Sequence, residues 1–247
     1  MDVGSEATEE EFHDWYSNEH IPLRTETFTT FRSAARYRAI DGLAPKFVAF
    51  YTVSDPETYN DPAYKALRDQ RSAREADVMG RLACVDRRIY SLISDTTPLP
   101  EALKPTSIAS GIAIFNSFTP PADGEEAFND WYEKEYIPAV KQVPGFYRTR
   151  RFKLVDGGIN GLKKDEFKKP PVYLELTEFE LLSSLSDPKF PSDKAGEAII
   201  GSAIASERRV FKLIKSFEPT AALKSLRTPG GGLMTPRTEE TTRLGSA

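Results

Sequence analysis

The sequence predicts an α+β protein made of two ferredoxin-like (βαββαβ) repeats, the first lacking its opening strand. Three observations carry this. The segment Phe12-His13-Asp14-Trp15-Tyr16-Ser17-Asn18-Glu19-His20-Ile21-Pro22 returns 116 positions later as Phe128-Asn129-Asp130-Trp131-Tyr132-Glu133-Lys134-Glu135-Tyr136-Ile137-Pro138, with seven of eleven residues identical and both tryptophans in one frame. Further matches follow in the same order: Phe31 to Gly42 with Phe146 to Gly157, Pro45 to Val53 with Pro171 to Phe179, and Arg87 to Ile93 with Arg208 to Ile214. Only about seven residues precede the first helix, too few for the strand that opens the second half. A repeat this long is a domain, since solenoid units run about 20–50 residues.

The elements of the first half follow in order. Thr8 caps a helix whose first turn is acidic (Glu9, Glu10, Glu11), which suits the helix dipole. Phe12, Trp15 and Tyr16 form its apolar side, and Pro22 disfavours helix at Ile21, so the helix is expected to end near His20. Residues 31–40 and 46–54 are rich in aromatic and β-branched side chains and predict two strands, joined by a turn at Asp41-Gly42 that has no other role. Asp61 to Met79, with Tyr64, Leu67 and Val78 apolar, predicts the second helix, and Arg87 to Ile93 a closing strand.

The second half repeats this order behind an additional strand from Ser107 to Phe118. The expected organisation is a first repeat over 1–97, a linker over 98–106, a second repeat over 107–218 and a disordered tail over 219–247, poor in apolar residues. The lysine- and glycine-rich insert Gly157 to Pro171 is expected to be a mobile loop. A vacant strand position in the first half would leave unpaired backbone groups and a sheet prone to association.

The length of 247 residues suits two domains of roughly 100 residues each. With 39% hydrophobic and 28% charged residues the chain has a globular composition, and a net charge of −4 supplies no field for nucleic acid. A single cysteine, Cys84, forms no internal disulfide and fits a reducing compartment as a small buried residue. No apolar run approaches the ~20 residues of a membrane span, and the acidic N-terminus does not resemble a signal peptide. A soluble cytoplasmic protein is the default expectation.

The motif Trp15-Tyr16-x-x-Glu19-His20-Ile21-Pro22 before a β-hairpin resembles the EthD-like family of the dimeric α/β-barrel superfamily, and the resemblance covers the chain except its tail. It implies that the two ferredoxin-like units pair their sheets into an intramolecular barrel, leaving either a monomer by internal pseudo-dimer or a homodimer. Relatives include monooxygenases, isomerases, decarboxylases and dehydratases of small aromatic or polyketide-like molecules, many without a cofactor; other members have no demonstrated activity. Fold alone does not choose among these.

His20 is the leading candidate for chemistry, because imidazole titrates near neutrality and can transfer protons. Its counterpart is Tyr136, a weaker hydrogen-bond donor or a packing residue. His13, opposite Asn129, is expected on a solvated helix face, and the spacing of the two histidines is poor for a metal. Arg36 and Arg38 align with Arg151 and Lys153; by the strand period of two they share a face, expected to point to the barrel interior while Tyr37 and Phe152 pack on the helices. Arg36 or Arg151 would there hold a substrate carboxylate or phenolate, or pair with acidic residues of the other unit. The leading expectation is a cofactor-independent enzyme acting on a small aromatic or polyketide-like acid with His20 as proton-transfer residue. The alternatives are a non-catalytic ligand-binding or stress-response-type barrel with a structural His20, and haem or metal binding through a histidine.

Overall fold

Each aromatic and β-branched run of the sequence becomes a strand of one antiparallel sheet in the computed structural model, which describes residues 1–96, 111–166, 169–188, 191 and 194–217. The expected linker 98–106 and tail 219–247 lie outside the described residues. The strands are β1 (Phe31–Ala39), β2 (Phe47–Val53), β3 (Val85–Asp95), β4 (Ile112–Thr119), β5 (Phe146–Asn160), β6 (Tyr173–Phe179) and β7 (Ala205–Phe217), paired in the order β2-β1-β7-β4-β6-β5-β3. The sheet curls strongly. Phe50 on edge strand β2 lies 5.6 Å, centroid to centroid, from Phe152 on β5, which neighbours the other edge strand, β3.

Seven α-helices accompany the sheet among the described residues, besides short 3-10 and π-helical turns: α1 (Glu9–Trp15), α2 (Ile21–Thr25), α3 (Pro62–Asp69), α4 (Ala73–Arg81), α5 (Glu125–Trp131), α6 (Ile137–Val140) and α7 (Lys194–Gly201). Thr8 accepts from the Glu11 amide, as a helix cap should. Phe12, Trp15 and Tyr16 pack on Ala34, Phe47 and Val78 in one core outside the sheet. Phe128, Trp131 and Tyr132 pack on Ile112, Ile114 and Tyr173 in a second. A third core fills the inside of the curl with Tyr37, Phe115, Phe152, Leu176 and Phe211. Full burial of each such aromatic contributes roughly 1.5–3 kcal/mol before entropy is charged against it.

Four expectations are corrected. The helix does not stop at His20. Tyr16–His20 and Tyr132–Tyr136 each form one turn of π-helix, and the helix runs on into α2 and α6. Pro22 and Pro138 explain this: proline has no N–H to donate and its ring crowds the carbonyl one turn back, which a widened turn relieves. Asp61 to Met79 is not one helix but two, because Ser72 caps a new start by accepting from the Glu75 amide. The insert is not all loop, since β5 continues through Gly157 and Gly158 to Asn160 and pairs with β3. Asp41 does more than turn the chain: its carboxylate takes the Arg209 guanidinium (Nε to Oδ2, 2.9 Å) and the Val210 amide (2.8 Å).

Candidate functional site

The curl encloses a cavity of about 590 Å³ lined from both edge strands and from β4–β7. Its walls include Phe50, Tyr90, Phe115, Phe152, Leu174 and Phe211. The volume and the apolar lining suit a small planar molecule. Asp86 and Arg88 meet at 2.7 Å on its rim, where Arg88 also reaches Glu207 at 3.1 Å.

Arg150 lines this cavity together with Asp86, Arg88, Asp95, Glu207 and Arg209, and the sequence pattern does not single it out. Strand period places Arg148, Arg150 and Phe152 on the inner face of β5. Arg150 is only 5% exposed, yet its Nε has no hydrogen-bond partner. One terminal nitrogen donates to Glu178 at 3.3 Å, and the guanidinium lies 4.8 Å from the Phe50 ring centre. Burial pulls the pKa of Arg150 down, while Glu178 opposes that shift. Glu178 also takes Arg148 Nε and stands 3.5 Å from the Tyr37 hydroxyl. Burial, then the Glu178 charge, push the Tyr37 phenol well above its ordinary value.

The strand faces expected for the arginines are reversed. Arg36 and Arg151 point outward beneath the helices, and Tyr37 and Phe152 point inward. Arg36 is 1% exposed and donates to His13 Nδ1 and Ser17 Oγ, both at 2.7 Å. Its guanidinium packs on the Phe12 and Tyr16 rings. Arg151 does the same with Asn129 (2.7 Å), Glu133 (2.8 Å) and the Tyr132 ring. The strand period gives the parity of a face but not which parity points inward. His13 is therefore half-buried, with Nδ1 accepting from Arg36; burial first and the Arg36 charge second lower its pKa.

His20 does not line the cavity. It sits in the outer layer, tilted against Tyr16 (4.5 Å between ring centres) and edge-on to Trp15 (4.9 Å), with Nδ1 3.1 Å from Glu75 Oε1. Burial, then the Arg24 charge, lower its pKa to about 4 against the opposing pull of Glu75. At neutral pH it is an uncharged imidazole; the tautomer with the proton on Nδ1 donates to Glu75. The Tyr16 hydroxyl below it accepts from Tyr51 at 3.3 Å. Tyr136, its counterpart, is 5% exposed, and burial pushes its phenol well above the ordinary range. None of His20, Arg36 and Arg151 lines the cavity; His20 and Arg36 meet the same Tyr16 ring in the outer layer, and Arg151 sits under the second helix pair. Among the described residues no group of three or more His, Cys, Asp or Glu is placed to hold a metal, and no helix is long and apolar enough to cross a membrane.

No sequence-family model matches the chain, and no curated protein matches it. Solved structures do. An anthrone oxidase-like protein superposes over 89% of this chain and 96% of its own, with a TM-score of 0.54 at 12% identity, a likeness of fold. A candidate monooxygenase of Lactobacillus acidophilus covers 85% of this chain and 89% of its own (TM-score 0.45, 9% identity). Another, from Fusobacterium nucleatum, covers 86% and 89% (TM-score 0.47, 8% identity).

Proposed function

We propose that the chain is a small-molecule enzyme of the EthD-like, dimeric α/β-barrel kind, built from two duplicated ferredoxin-like units and working without a resident cofactor. Its substrate is an aromatic or polyketide-like acid, bound inside the curled sheet. The observation that supports this best is Arg150: a buried guanidinium with an unpartnered Nε, on the wall of an aromatic cavity. Phe50 and Phe152 offer ring faces and edges to a planar substrate, and Arg150 offers a charge-assisted bond to its carboxylate or phenolate. The fold shared with an anthrone oxidase-like protein agrees with this class. In this reading Arg36 and Arg151 hold helices to the sheet instead of holding substrate.

The test is a titration of the protein with 2-naphthoate, followed by fluorescence. Saturable binding is expected for the native chain, with a loss of about tenfold or more in Arg150→Met. Equal binding by that variant, with its fold intact, would sink the assignment.

A second reading rests on the His20–Glu75 pair. A neutral imidazole oriented by a carboxylate through Nδ1 is poised to take a proton at Nε2. It would act as proton-transfer residue, with Arg150 uninvolved. Turnover surviving Arg150→Met but not His20→Gln would select it.

A further inference from the structure

We propose that Tyr90 is a specificity-determining residue of the cavity, its hydroxyl donating to an oxygen that the substrate carries at the end away from its acid group. This rests on the reading that an aromatic acid binds inside the curl with Arg150 as its anchor. Tyr90 lies on β3 with its ring against the inner core, 6.3 Å from the Phe152 ring centre, and it lines the cavity. Its hydroxyl has no hydrogen-bond partner among the described residues. Tyr37, whose ring shares that inner core, meets Glu178 at 3.5 Å. An unpaired buried hydroxyl costs stability and gives the packing nothing that a phenyl ring lacks.

In the sequence repeat Tyr90 matches Phe211, within the paired segments Arg87 to Ile93 and Arg208 to Ile214. Phe211 is 4% exposed and packs edge-on to Phe115 at 5.1 Å in the same inner core. The second half thus fills the corresponding place with a ring alone, and what Tyr90 adds is one hydroxyl. Burial raises its phenol pKa, so the proton is kept at neutral pH. Arg88 opposes that rise, but a guanidinium only donates, so the Tyr90 proton stays available to a ligand oxygen. The hydroxyl oxygen is closed to water in the free protein. Contact therefore takes a small swing of this half-buried side chain into the cavity that its ring already lines.

Strand register says where the ligand oxygen must sit. Tyr90 pairs with Leu154 on β5, Arg150 pairs with Asp95 further along β3, and Phe152 lies midway between Leu154 and Arg150. The two polar groups therefore bracket Phe152, about 13 Å apart at the backbone. The Arg150 guanidinium lies 5.8 Å from the Phe152 ring centre, much as Tyr90 does on the other side. A fused two-ring acid lying on Phe152, with a hydroxyl or keto oxygen at its far end and one hydrogen bond at each end, matches that length. A hydroxyl placed beside the carboxylate does not reach Tyr90.

The test is calorimetric binding of three acids to the native chain and to Tyr90→Phe: 2-naphthoate, its 6-hydroxy derivative and its 3-hydroxy derivative. The native chain should prefer the 6-hydroxy acid to the parent by roughly fivefold or more, and Tyr90→Phe should bring that ratio to about one. The ratio of the 3-hydroxy acid to the parent should be the same in both proteins. Tyr90→Phe should also unfold in no less urea than the native chain, because it keeps the ring and loses only an unbonded hydroxyl. Tyr90 loses this role if the native chain shows no 6-hydroxy preference, if the preference survives in Tyr90→Phe, if the 3-hydroxy ratio falls with it, or if the variant unfolds earlier. Arg150 is judged apart, by Arg150→Met with 2-naphthoate. Weakened binding there without a 6-hydroxy preference sinks Tyr90 alone, whereas a Tyr90-dependent preference with unweakened binding sinks the anchor alone. Absence of binding by all three acids overturns both.

Discussion

Arg36 donates to His13 Nδ1 at 2.7 Å, and the same bond recurs in the second half, where Arg151 donates to Asn129 Oδ1 at 2.7 Å. A strand arginine buried under a helix, its second arm on Ser17 or Glu133, pins α1 and α5 to the sheet. The planar fork is what the geometry uses, and an ammonium cannot supply it. Arg36→Lys should therefore cost about 2 kcal/mol in urea unfolding, because His13 or Ser17 loses its partner beneath the helix. His13→Asn should cost less than about 1 kcal/mol, since Asn129 already does this work. A larger loss in His13→Asn than in Arg36→Lys would contradict the clamp.

The Asp41–Arg209 pair ties the β1–β2 turn to β7. Arg209 Nε meets Asp41 at 2.9 Å, and its terminal nitrogens also donate to the carbonyls of Leu43, Ala44 and Pro45. Burial raises the Asp41 pKa, but the bonds from Arg209 and the Val210 amide outweigh it and hold the carboxyl below its ordinary value. Arg209→Met leaves that carboxylate and three carbonyls short of partners. The expected loss is about 3 kcal/mol, read as an earlier thermal midpoint. An unchanged midpoint would show that solvent replaces the arginine without cost.

Much of this could be read from sequence, and what could not has physical causes. The strands β1 and β2 emerge at nearly their observed limits because alternating aromatic and β-branched residues state both their type and their length. The helix over Asp61 to Met79 breaks because Ser72 and Glu75 make a local cap that a long apolar pattern conceals. Pro22 suggests a stop where the chain instead widens one turn, an option that tertiary packing makes available. Arg150 was hidden by its neighbour: Arg151 matches Arg36 in the repeat, whereas Arg150 falls opposite Ala35. Residues kept in both halves hold the helices, and unmatched ones such as Arg150 and His20 are where the halves can differ in function.

His20 makes stability depend on pH. Its folded pKa of about 4 lies below the ordinary 6.5, so the unfolded chain binds the extra proton first. This contribution is complete above about pH 6.5 and disappears as pH falls from there toward 4. Between pH 7 and pH 4 the folded state should therefore lose on the order of 3 kcal/mol through this one group. Chemical unfolding across this range should show stability falling in the native chain, with a shallower fall in His20→Gln. Parallel slopes would mean that His20 is charged in the folded state.

Glu178 and a bound acid should compete for Arg150. The Glu178 carboxylate is fully buried and shared between Arg148 and Arg150, so it offsets part of the positive charge that an anion entering the cavity would meet. Glu178→Gln keeps the side chain's shape but removes that offset. Arg148 and Arg150 then lose their fully buried counter-ion and keep only the charge of Asp95 nearby, which costs up to about 3 kcal/mol of stability. The same change leaves Arg150 more fully available, so 2-naphthoate should bind roughly tenfold more tightly, recovering part of the lost stability with the logarithm of its concentration. Stability and affinity thus move in opposite directions in a single variant. If calorimetry finds both falling together, Glu178 orders Arg150 for the ligand and does not compete with it.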